Sequence, residues 1–319
     1  MKTRGYPTMS RSPYPIDSQQ ERDPARRPTT TRLDSRATPE SGPLERVDSS
    51  AGDPRSASRS VRPERVPESV DWPRAHYTRD RTYFLRDSEL QSLAEVGPFR
   101  VIAASDLARL SYGDNAARME RELRSLKQPL LLSEKPVPGE RHKPSRLVAL
   151  TKRGSRIVRK SGRVTDEQVI YHGFRKPREA KHDADLYCVY QVEVARIEAA
   201  GGRPNRVVLD YELKRNLNRD LERLGREGRS PEALEQIAER NGLRVVDGKI
   251  PVPDLRIEYN TAEMEPKHLD LELATRNYRP RALAEKAKAG FRLYARSEDA
   301  PRLRRALDAR EITAVISSL

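Results

Sequence analysis

Two stretches of the chain combine carboxylates with the alternation of a β-strand. Polar and apolar residues alternate in Pro253-Asp254-Leu255-Arg256-Ile257-Glu258-Tyr259, and again in His268-Leu269-Asp270-Leu271-Glu272-Leu273-Ala274. Successive side chains of a strand point to opposite faces. Leu255, Ile257 and Tyr259 therefore share one face, as do Leu269, Leu271 and Leu273. The reverse faces carry Asp254, Arg256 and Glu258 on the first strand and His268, Asp270 and Glu272 on the second. Paired side by side, the two strands would hold a cluster of carboxylates on an apolar support. Converging carboxylates attract a hard divalent cation, which can activate water against a phosphodiester. The competing reading is a half-buried sheet whose charged face is solvated.

Few other residues offer chemistry. His182-Asp183 and His268 are candidate ligands or general bases, although a lone histidine is more often a hydrogen-bonded structural residue and His182 sits where it could cap a helix. Glu193 could add a carboxylate to a metal site, but a surface position is the simpler expectation. Cys188, flanked by Leu186, Val189 and Val192, reads as core. As the single cysteine it excludes an internal disulfide framework and a multi-cysteine metal site. There is no Walker-type glycine loop, no Gly-x-Ser-x-Gly elbow and no zinc spacing, so nucleotide hydrolysis and serine chemistry lack support.

Lys and Arg outnumber Asp and Glu by 62 to 48, a formal net charge of +14 over 319 residues. That surplus favours a polyanionic partner, because each neutralised phosphate releases condensed counterions. Arg is prominent in it, and its planar fork suits phosphates and guanine edges. No apolar run is long enough for a membrane span, and the first residues lack the apolar stretch of a secretory signal. The expected partner is double-stranded DNA, with RNA second and no membrane, and the expected location is cytoplasmic.

The elements that would position the carboxylates lie in the second half of the chain. Residues 1–78, rich in Pro, Ser, Thr and Arg, are expected to be a disordered basic arm, since they cannot bury enough apolar surface to offset ordering entropy. Residues 79–163 follow as a first domain. Helices are expected over 87–97, from Ser105, and from Asp114 to about Lys127, the last with Ala116, Met119, Leu123 and Leu126 as its buried stripe. Leu130-Leu131-Leu132, a polar turn through Arg141 and Lys143, and the strand Arg146–Leu150 form a hairpin, and Thr151 caps a further helix. Three helices, a hairpin with a basic tip and a helix are the order of a winged helix-turn-helix. In such a module Asn115, Arg118, Arg121 and Arg124 would face a major groove, and Arg141 and Lys143 would reach phosphates.

Residues 170–319 read as an α/β domain, making the whole chain α+β. A helix spans roughly 181–200, ending at Gly201-Gly202. Strands are expected at 206–211 and 243–249, the latter turning at Asp247-Gly248. The carboxylate strands follow, then a helix opened by Arg279-Pro280, a strand at 291–295, a helix near 300–309 and a strand at 312–316.

This order resembles the PD-(D/E)xK nuclease core. Pro253-Asp254 matches its first acidic position and Glu272-Leu273-Ala274 its second strand motif. The resemblance implies that Asp254 and Glu272 hold Mg2+ with help from a main-chain carbonyl. It also implies a lysine two residues after the glutamate, where this chain has Ala274. Lys286 or Lys288 on the next helix would have to substitute, and Lys286 is the favoured choice. The arrangement over about residues 83–296 is also similar to replication-relaxation proteins of plasmids and other mobile elements. The stretches that carry this similarity are Leu150–Gly154, Lys181–Gly201, the Pro-Asp strand and the glutamate strand. It implies a DNA-binding protein of replication or mobilisation, acting as a Mg-dependent nuclease or nickase through Asp254, Glu272 and Lys286. The alternative is a non-catalytic regulator or replication accessory whose nuclease-like domain is degenerate.

Overall fold

The computed structural model describes residues 71–79, 81–137, 145–174, 179–225, 228, 230–310 and 314–319. The arm up to residue 70, and Arg141 and Lys143 at the hairpin tip, lie outside these residues. Positions 71–78, assigned by sequence to the arm, contain a strand. Here β1 (Arg74–Tyr77) pairs antiparallel with β2 (Thr82–Leu85), Arg74 lying opposite Leu85 and Tyr77 opposite Thr82. Tyr83 and Leu85 turn into the core while Phe84 faces out.

α1 (Asp87–Val96) begins where Asp71 takes hydrogen bonds from the Asp87 and Ser88 amides, both at 2.9 Å. Then come β3 (Ile102–Ala103), α2 (Ala104–Ser111) and α3 (Ala116–Lys127). The cap of α3 is Asn115, whose side chain accepts from the Arg118 amide at 3.0 Å, and not Asp114, which holds φ 63 in the turn before it. Met119, Leu123 and Leu126 are buried as their spacing requires, but Ala116 is exposed, so the apolar stripe starts one turn later than expected. β4 (Leu132–Val137) and β5 (Ser145–Leu150) are antiparallel, and β3 completes a sheet of order β3-β5-β4. Thr151 caps α4 (Lys152–Lys160), whose Gly154 leaves no room for a side chain: a Cβ there would lie 2.1 Å from the Leu131 carbonyl oxygen.

The second half opens with α5 (Ala180–Ala199), which Gly201 at φ 79 terminates. β6 (Arg203–Leu209), α6 (Asp210–Leu224) and α7 (Pro231–Arg240) follow, then β7 (Leu255–Asn260), β8 (Pro266–Ala274), α8 (Pro280–Lys288), β9 (Arg292–Ala295), α9 (Ala300–Asp308) and β10 (Ile316–Ser318). The strand expected at 243–249 is reduced to one bridge, Val246 to Lys249, about an Asp247-Gly248 turn in which both residues have positive φ. The final strand falls at β10, later than expected, and 311–313 lie outside the described residues.

These strands make a five-stranded sheet in the order β10-β9-β8-β7-β6. β6, β7 and β8 run antiparallel in a meander, while β9 is parallel to β8 and β10 to β9. One face packs on α5: Leu255, Ile257 and Leu271 are fully buried in the same apolar cluster as Tyr187 and Val189. That cluster continues without a break to Leu93 and Leu123 of the first half. Each such side chain contributes about 1.5–3 kcal/mol of burial, so α5 is the spine that both halves share. The fold class is α+β. Among the described residues, no helix is long and apolar enough to cross a membrane.

Candidate active site

The register sets Leu255 opposite Leu271 and Arg256 opposite Asp270. This confirms the pairing of the two carboxylate strands but changes the character of their polar face. Arg256 is 5% exposed and Glu272 is fully buried, so the face is covered around these two residues, while His268 at its other end is exposed. Arg256 donates to Asp270 at 2.6 and 2.8 Å and to the carbonyls of Asn241 and Gly242 at 2.8 and 2.7 Å. A charge taken out of water needs such partners. Glu258 pairs with Arg206 across the neighbouring strand at 3.5 Å. Asp270 and Glu258 are thereby committed to structural ion pairs, which leaves Asp254 and Glu272 as the acids to consider.

Pro253 fixes the chain just before β7, and Asp254 stands at the entry to the strand. Its amide donates to the Leu271 carbonyl at 3.1 Å and to Glu272 Oε2 at 3.2 Å, so one acid's backbone holds the other's carboxylate. Asp254 Oδ2 accepts from the Leu273 amide at 3.0 Å. The Asp254 carbonyl also takes the Asp210 amide at 3.0 Å, tying the site to the start of α6.

Lys286 reaches back from the last turn of α8. Its Nζ lies 2.9 Å from Glu272 and 2.5 Å from the Val252 carbonyl oxygen, and 5.6 Å from the centre of the Phe291 ring. Lys288 points elsewhere, with its Nζ 3.3 Å from Asp247. Of the two lysines, geometry therefore brings Lys286 to the carboxylates. Ala274 shows why no lysine occurs there: it is 1% exposed, opposite Ala295, inside a second apolar cluster with Leu283 and Leu293. A lysine at that position would bury its ammonium in hydrocarbon.

Two further residues complete the cluster. The Tyr278 hydroxyl donates a short hydrogen bond to Glu272 Oε1. His182, in the first turn of α5, places Nε2 3.3 Å from both Asp254 Oδ2 and the Leu273 carbonyl oxygen. The sequence offered His182 as a ligand or general base but favoured a structural histidine or a helix cap; Glu179 holds the N-cap position. The signal for Tyr278 was absent altogether, because a loop residue carries no periodicity.

Burial alone would raise the Asp254 carboxyl, but the hydrogen bond and charge of His182, with Lys286 and the Leu273 amide, outweigh it and hold Asp254 below the usual range. Burial and the Asp254 charge push Glu272 up, against the opposing pull of Lys286 and Tyr278. Burial would lower His182, yet the Asp254 hydrogen bond and charge, Asp183 and the Leu273 carbonyl raise it to about 9. Two carboxylates whose environments drive them apart, with two cations beside them, are what acid–base or phosphoryl chemistry requires.

The donor set suits a hard cation: two carboxylates and a main-chain carbonyl supply oxygen, which Mg2+ prefers. Among the described residues, no three His, Cys, Asp or Glu side chains come together as a metal-holding group. A cavity of about 370 Å³ opens beside His182, and its wall carries charges of both signs, Arg276 and Arg296 with Asp185, Glu298 and Asp299. Arg296 is ion-paired there with Asp185.

The remaining candidates fall outside this cluster. Glu193 is not at the surface; it is fully buried and bonded to Tyr294, Arg292 and Arg196. Cys188 is half-buried rather than core, with Sγ 3.8 Å from Arg109, and burial pushes its thiol up to about 12. His268 is exposed opposite Glu258. On α3, Arg121 and Arg124 are exposed, Arg118 contacts Glu122 at 3.2 Å, and Asn115 is committed to the cap. No family model matches the chain, and neither a curated protein nor a solved structure matches it.

Proposed function

We propose that this chain is a DNA-binding protein of the replication or mobilisation type that cuts or nicks DNA with a divalent metal ion. In this reading residues 79–163 act as a winged helix-turn-helix that presents Arg118, Arg121 and Arg124 to duplex DNA, and residues 170–319 act as a PD-(D/E)xK-like nuclease domain. The order helix, strand, helix, helix, two-stranded hairpin supports the first part. The antiparallel meander β6-β7-β8 with β9 parallel to β8 supports the second.

The observation that carries the proposal is the placement of Lys286 Nζ 2.9 Å from Glu272 Oε2, the same oxygen that accepts from the Asp254 amide at 3.2 Å at the entry to β7. Asp254 and Glu272 would hold Mg2+, which supplies Lewis-acid polarisation and a more acidic bound water. Lys286 offsets the charge that develops on the phosphoryl oxygens.

The test is conversion of supercoiled plasmid to nicked or linear form in magnesium, with Asp254→Ala and Glu272→Ala as controls. Activity that survives both substitutions removes the mechanism. A second reading, a non-catalytic DNA-binding accessory, draws on the fact that Tyr278 and Lys286 already satisfy Glu272. Tight, salt-sensitive duplex binding with no magnesium binding at the cluster selects it.

A further inference from the structure

The geometry points to a second nucleic-acid contact, in which an unpaired DNA strand lies between the β1–β2 hairpin and α3 and stacks a base on Trp72. This deepens the DNA-binding reading above and rests on it, because α3 forms one wall. A groove of about 1150 Å³ separates the two elements, and Trp72, Arg74, Arg86, Asn115, Arg118 and Arg121 line it. Trp72 is 74% exposed and is the only tryptophan in the chain. Phe84 and Tyr77, on the outer face of the same hairpin, are 70% and 69% exposed. Trp72, just before β1, is the aromatic residue that lines the groove, and it forgoes the burial that would stabilise it.

The groove is built rather than loose. Asp71, adjoining Trp72, is locked by two hydrogen bonds to the start of α1, which fixes where the indole begins. The carboxylates around the groove have partners within the protein: Asp71 has those amides, Asp87 has Arg163 at 3.0 Å, and Glu122 has Tyr112, Ser92 and Arg118. The exposed guanidinium of Arg74, which the duplex contact does not use, is then the outward charge on this side of the groove, and it suits phosphate. A duplex keeps its bases stacked on one another, so an exposed indole beside a basic wall fits a strand whose bases are free. The substrate class that follows is a duplex bearing a single-stranded tail, with the duplex on α3 and the tail in the groove.

The test uses the full chain and the emission of its one tryptophan. Titration with oligothymidine should quench Trp72 to saturation. By anisotropy, a blunt duplex and the same duplex with an oligothymidine tail are compared for wild type and Trp72→Ala. Stacking one base contributes on the order of tenfold in affinity, so the tailed duplex should bind about tenfold tighter, and Trp72→Ala should remove that gain while leaving the blunt duplex unchanged. Because the indole is exposed, the melting curve of the variant should match wild type, which guards against misfolding. Unquenched Trp72 at saturating DNA, or equal loss for both duplexes, overturns the inference. Loss of plasmid cleavage leaves it intact, whereas loss of blunt-duplex binding in the wild type removes the DNA-binding reading beneath it.

Discussion

Replacing Lys286 by methionine tests the electrostatic core of the site. Glu272 has no exposed side-chain surface, and the Lys286 ammonium sits 2.9 Å away. At that separation the attraction is about 6 kcal/mol with an effective dielectric of about 20. Desolvation of both groups offsets much of this, but the lysine's removal leaves the carboxylate buried with only Tyr278 and the Asp254 amide. Breaking such a pair costs about 3–5 kcal/mol, a large part of the whole stability of a domain. The loss should depend on pH. With Lys286 gone, burial and Asp254 act on Glu272 with less opposition, so its raised value rises further. A raised carboxyl leaves stability intact below the ordinary glutamate range of about 4.3, and that stability is lost as pH rises through the native value. Urea unfolding of Lys286→Met should therefore show a small deficit near the ordinary glutamate range and the full deficit above neutrality. Adding Glu272→Gln should recover most of it at high pH, giving a coupling of several kcal/mol in a double-mutant cycle. A deficit independent of pH, or one that Glu272→Gln does not relieve, would refute the pairing.

Two further outcomes follow from the geometry. His182 titrates at about 9 in the native state against about 6.5 unfolded, so its contribution is complete below the unfolded value and disappears as pH rises through 9. Wild type should lose about 3 kcal/mol relative to His182→Gln across that window, and parallel stability–pH curves for the two proteins would contradict the contact with Asp254. Arg118→Ala with Arg121→Ala should lower the slope of log K against log salt for duplex DNA by about 1.8, and an unaltered slope would move the duplex contact off α3.

Local pattern made much of the molecule legible. Alternation located β7 and β8 and the face each would bury, and the helix period found the Met119, Leu123 and Leu126 stripe of α3. Glycine and proline marked the end of α5 and the start of α8. These signals are carried by residues that neighbour each other along the chain, where the sequence is the structure. Elements of two to four residues, β1, β2 and β3, are too brief to generate a period, and the Leu243–Lys249 segment alternates like a strand but finds no partner beyond one bridge.

The sequence by itself determined the residue types of the site and the strands that bear Asp254 and Glu272. It also determined the scarcity of other chemistry and the positive surplus. Which acids remain available was decided only by tertiary structure. The end of α7 covers Arg256, which must therefore neutralise Asp270, and Arg206 meets Glu258, while Asp254 and Glu272 are left with His182, Tyr278 and Lys286. Those three come from the start of α5, a loop and the end of α8. Residues that distant along the chain share a site because burying the apolar face of the sheet against α5 and packing α8 beside Ala274 fix where they end, and no local spacing encodes that.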